Sequence, residues 1–180
     1  MYDFNEVITF WFDELEESDW WKKSDTLDQA IRKRFGELHR RAMQCELYQW
    51  REYPMGRLAE IIVLDQFSRN IFRNSANAFA QDAQALCLAQ QAIAVDAHTA
   101  LTKIQRSFLY LPFMHSESRV IHEVAVDLFQ SNGIASNFEF ELKHKQIIDR
   151  FGRYPHRNEL LGRESTSEEA VFLTQPGSSF

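Results

Sequence analysis

The sequence predicts an all-α protein, a tetratricopeptide-like array of antiparallel helix hairpins with about eight helices, forming a single domain over residues 1–180. Three observations carry this expectation. Apolar residues recur at helical spacing through most of the chain, and alternating runs are missing. Only six Gly and four Pro interrupt that pattern. With 44% apolar and 13% aromatic residues, 180 residues suffice to bury one good core.

Each element has its own local signal. Residues 4–13 form a short aromatic helix through Phe4, Ile8, Trp11 and Phe12, followed by a loop with Trp20 and Trp21. Ser24 offers an N-cap to a helix over 25–45, whose stripe of Leu27, Ile31, Phe35, Leu38 and Ala42 lies on one face. Pro54 suits the first turn of the next helix, which runs to about residue 67. The nearly unbroken apolar run Leu58–Leu64 predicts that this helix is central and covered on several sides. A helix follows over 79–96, then one over 99–111 that Pro112 is expected to stop.

A further pair spans 117–131 and 137–151, joined by Asn132-Gly133, a turn dipeptide that also suits a helix C-cap. The two hairpins begin about 38 residues apart, close to the 34-residue repeat of stacked helix pairs. Ser165 and Thr166 with Glu168 and Glu169 read as a capping box for a last helix ending near Leu173.

Composition excludes several function classes. Cys45 and Cys87 have no metal-like spacing, so they read as packed free thiols in a reducing compartment. No apolar run approaches the about 18 residues of a membrane span, and the acidic start MYDFNEVITFWFDE is unlike a signal peptide. The expected location is therefore cytoplasmic, with no membrane partner. A net charge of −6, with the basic residues clustered, argues against nucleic acid as a partner.

The basic residues form two islands, LDQFSRNIFR at 64–73 and RFGRYPHRNELLGR at 150–163. Guanidinium forks grip carboxylates or phosphates, so the islands either stitch the fold or hold a small anionic ligand. A helix C-terminus accounts for one cation at about 0.3–1 kcal/mol, but not for Arg150, Arg153, Arg157 and Arg163 together. Acidic partners inside the islands are few, namely Asp65 and Glu159, so others must come from elsewhere, and Glu117, Glu123, Asp127 or Asp149 could supply them.

The segment LPFMHSESR at 111–119 adds His115, Ser116 and Glu117 at a helix junction. A near-neutral His beside a carboxylate suits proton transfer, with Ser116 as a possible nucleophile. Three adjacent side chains diverge on a helix, however, so they do not form a triad. A His simply hydrogen-bonded to Glu is the commoner arrangement. Glu141 and His144 have the i, i+3 spacing of di-iron bundles, but that site requires two such motifs. No HExxH occurs, and His115, His122 and His144 are scattered, so no metal and no cofactor is expected. Trp11, Trp20, Trp21 and Trp50 read as core.

Taken in order, FWF, LDQFSRNIFR with FAQD, LPFMHSES and RFGRYPHRNELLGRESTSEEAVFL resemble the bacterial domain-of-unknown-function 924 family over about residues 4–173. The resemblance implies an α-helical, tetratricopeptide-like fold and carries no activity with it. The matching positions are Asp65, Gln66, Arg69, Asn70, Arg73, His115, Ser116, Glu117, Arg153, His156, Arg157, Asn158, Gly162 and Arg163. Ser68 stands where Pro is frequent, Tyr154 where Phe is usual, and Asn74 where Gly is common.

The resulting expectation is a composite polar site. Arg69, Arg73, Arg153 and Arg157 grip an anion, Asn70 and Asn158 orient it, and His115 and His156 relay protons with Glu117 orienting. At least one Arg of the first island then lies within about 10 Å of Arg153 or Arg157. The alternative is a scaffold that binds a protein or peptide partner in its groove, with every buried Arg satisfied internally.

Overall fold

The computed structural model describes residues 3–178, of which 74% are helical, with no strand among them. Nine α-segments follow one another: α1 (Phe4–Thr9), α2 (Asp25–Met43), α3 (Pro54–Ile62), α4 (Ser68–Ile71), α5 (Asp82–Ala94), α6 (Lys103–Met114), α7 (Arg119–Asn132), α8 (Ala135–Phe151) and α9 (Ser167–Leu173). A π-helical turn over Val63–Phe67 joins α3 to α4, so the two are one interrupted helix.

The expected caps are present. The Ser24 hydroxyl accepts from the Leu27 amide, and Thr166 and Glu169 form a reciprocal capping box. Gly133 and Gly152 take the left-handed conformation at the ends of α7 and α8. Asn74 also has a left-handed backbone, at φ 62°, which Asn tolerates better than most residues and Gly better still. Gly56 is required for another reason. A Cβ there would lie 2.1 Å from the Trp50 carbonyl oxygen, where no side chain fits.

Two expectations are corrected. Pro112 does not end its helix, because α6 continues to Met114. A Pro inside a helix costs about 3 kcal/mol, and here that is offset by the complete burial of Ser107–Met114. The two cysteines are free as expected, but exposed rather than packed.

The apolar run of α3 is central as expected, with Leu58 to Leu64 fully buried and contacts to α1, α5 and α6. The stripe of α2 packs on the π turn and α4, and Phe35, Phe67, Phe10 and Trp11 interlock ring to ring. Short connectors then fold α5, α6, α7 and α8 onto one another in sequence. A second, smaller cluster, Ile147, Ile148 and Tyr154 with Phe151 and Phe172, seals the C-terminal segment onto α8. That seal carries the second Arg island back over the middle of the chain.

Candidate functional site

The site begins at the π turn. Such a turn widens the helix and re-aims its side chains, and this one carries Asp65 inward, where it is fully buried. One Asp65 oxygen meets His115 Nδ1 at 2.7 Å and Arg69 at 3.2 Å, and the other accepts from the Gln66 amide at 2.6 Å. Burial alone would raise the Asp65 pKa. The Arg69 charge and the hydrogen bonds from His115 and Gln66 overcome it and hold the carboxyl well below its ordinary range.

Arg69, one helical turn on, also grips Asp82 at the start of α5 with both terminal nitrogens, at 3.0 and 3.1 Å. Arg157 reaches the same carboxylate from 75 positions away, at 3.1 Å, and donates to the His115 carbonyl at 3.1 Å. Its guanidinium lies against both the Phe79 and the Tyr154 ring, 4.5 and 4.6 Å from their centroids. It is 6% exposed, its Nε has no hydrogen-bond partner, and burial lowers its pKa.

His115 completes the cluster at the end of α6. Burial, then the Arg69 charge, lowers its pKa, so the imidazole is neutral at pH 7. With Asp65 accepting at Nδ1, the proton sits there and Nε2 keeps its lone pair. Among the described residues Nε2 has no hydrogen-bond partner, and the side chain is 15% exposed. The buried carboxylate orients the ring as a base is oriented in hydrolytic triads, although no Ser hydroxyl among the described residues meets it.

The expected convergence is found for Arg69, Arg157 and His115, and not for the rest. Arg73 and Asn70 turn the other way, onto Asp28 of α2, with Arg73 Nη2 at 2.6 Å and Asn70 Nδ2 at 2.8 Å. Arg153 forks onto Glu169 at 2.6 and 2.7 Å and, together with the Thr166 amide, holds that carboxyl at about 2. Asn158 bridges Ser165, Glu169 and Arg163, which ties α9 to the preceding loop. Glu117 does not orient His115. It takes both nitrogens of the Arg163 fork, at 2.6 and 2.9 Å, and the Tyr154 amide at 2.8 Å. The expected Glu for His115 is replaced by Asp65, because α6 ends with the imidazole facing the π turn.

Behind Arg157 the Tyr154 ring is surrounded by His122, His144 and His156, with centroids 6.3, 5.7 and 5.5 Å away. His122 faces Glu141 through Nδ1 at 2.7 Å and the Ser116 carbonyl through Nε2 at 2.8 Å. Burial pushes the Glu141 carboxyl up. Glu141 is thus committed to His122, not to a metal. Among the described residues no group of three or more His, Cys, Asp or Glu could hold a metal ion. The Tyr154 hydroxyl donates to the Met114 carbonyl at 2.5 Å. Tyr154→Phe leaves that buried acceptor unmet, and urea unfolding should show a loss of about 1–3 kcal/mol.

Sequence reasoning missed Asp82, Phe79 and Tyr154 as site residues. Asp82 carried a signal, since FAQD stands among the matching motifs, but a lone Asp at a helix start reads as a dipole partner.

Fold and site together define a class: all-helical proteins in which a C-terminal arginine segment closes over the interrupted central helix through shared carboxylates. The particular family is plain from its match over residues 7–177, and the chain belongs to the bacterial proteins of unknown function grouped as DUF924. A protein of unknown function from Agrobacterium tumefaciens is 35% identical, with a TM-score of 0.90 over 94% of this chain and 96% of that one. No curated protein matches the chain.

Proposed function

We propose that the protein binds a small anionic ligand, a phosphate or a carboxylate, at Arg69, Arg157 and His115, and that His115 exchanges a proton with it. The observation that carries this reading is Arg157. A guanidinium so deeply buried ordinarily owns a carboxylate, and this one only shares Asp82 with Arg69 and leaves Nε unmet. His115 adds a neutral imidazole with an uncommitted lone pair, the state a general base requires. Among the described residues no helix is long and apolar enough to cross a membrane, and free thiols suit the reducing cytoplasm, where we place the protein.

Thermal unfolding at constant ionic strength tests the binding. A ligand that binds only the folded protein adds about 2.7 kcal/mol at 100 times its Kd, so phosphate or acetate should raise Tm in the wild type and not in Arg69→Ala. No shift with either anion would sink the reading.

A second reading has its own support. Arg51, Arg73, Arg153 and Arg163 are each satisfied by a protein carboxylate, as a tetratricopeptide-like interaction scaffold requires. A surface groove of about 570 Å³ lined by Phe140, Ile147, Phe151 and Phe172 offers apolar contact to a peptide.

A further inference from the structure

Resting on the anion-site reading, we infer that the ligand carries a carboxylate and enters by displacing Asp82, whose own carboxylate occupies the ligand position in the unliganded protein. Every hydrogen bond to the Asp82 carboxylate comes from the two groups assigned to the ligand. These are Arg69 through both terminal nitrogens and Arg157 through one, with no other donor among the described residues. Apart from the favourable placement of its charge in the first turn of α5, the Asp82 side chain makes no other bond among the described residues. It is the first residue of α5, and no side chain caps that helix. Its side chain is 16% exposed, so it lies at the rim, whereas Asp65 on the inner side of Arg69 is buried and held by three partners.

Charge and shape both select a carboxylate. Two guanidinium groups face two carboxylates, so when Asp82 swings out one positive charge is left over. A carboxylate neutralises it as a fixed monoanion, whereas phosphate is part dianion near pH 7 and in that form leaves a negative charge beside Asp65. The Phe79 and Tyr154 rings both lie against the Arg157 guanidinium, 4.5 and 4.6 Å from it, so its N–H edge is the part that meets a partner. A planar carboxylate meets such an edge in plane, as Asp82 meets Arg69.

The test compares wild type, Asp82→Ala and Asp82→Asn, titrated with formate, acetate and phosphate against chloride at matched ionic strength, by calorimetry and by Tm. Asp82→Ala should be destabilised in chloride and restored by formate or acetate but not by phosphate, and its acetate affinity should exceed that of the wild type at least tenfold. Adding Arg157→Ala to Asp82→Ala should abolish the restoration. If Asp82→Ala does not fold, Asp82→Asn supplies the affinity comparison. Acetate binding that is no tighter in either variant than in the wild type overturns the displacement, and phosphate restoring as well as formate overturns the carboxylate assignment. In both cases wild-type binding that depends on Arg69 leaves the anion site standing. No binding by any of the three proteins overturns both.

Discussion

Between pH 7 and pH 5 the protein is expected to lose on the order of 4–6 kcal/mol of stability, before the carboxylates lowered in the fold begin to titrate. Three imidazoles set its size, and His115, lowered by burial and the Arg69 charge, adds in the same direction. Burial holds His39 at about 4 and His144 at about 3, and burial with the Arg157 charge holds His156 at about 4. The unfolded chain binds protons on these rings at the ordinary value of 6.5, while the folded chain refuses them until the pH is far lower. Their neutral burial therefore costs nothing above pH 6.5, and each ring withdraws about 1.4 kcal/mol per unit as the pH falls toward its folded value. Asp65, Glu117 and Glu169, whose pKa values are lowered in the fold, add a further loss below about pH 4.5. Urea unfolding at pH 7, 6 and 5 measures the effect. His144→Gln should flatten the slope by close to one proton, and a midpoint constant across that range would contradict the neutral histidine core.

Replacing Arg51 by Ala should cost about 3–5 kcal/mol, far above what a surface ion pair is worth. Its partner Glu60 lies inside the apolar run of α3 with a side chain 0% exposed, and both Arg51 bonds to it are 2.7 Å. Without Arg51 the Glu60 charge is buried with no counterion. Adding Glu60→Gln removes that charge and should recover part of the loss, so the double variant will be more stable than Arg51→Ala alone. A single-variant loss under about 1 kcal/mol would show that Glu60 finds water or another donor.

Helix identity was legible from the residues because it is a local property. The stripe of α2, the caps at Ser24 and Thr166, and the C-cap glycine at 133 each act within a turn or two. The continuation of α6 through Pro112 was not legible, since it depends on tertiary burial that outweighs a local cost. The π turn at Val63–Phe67 was equally hidden. It sits in an apolar run whose spacing is the same whether the helix is regular or widened.

For the candidate site, the ingredients could be read from residue order: two arginine islands, a histidine at a helix junction, and too few local acids to satisfy them. Which arginine meets which acid was decided only in three dimensions, since Arg73–Asp28, Arg157–Asp82 and Arg163–Glu117 join positions 45, 75 and 46 apart. Charge pairing has no sequence period. The core fixes backbone positions first, and each guanidinium then takes the carboxylate that the packed helices bring within reach.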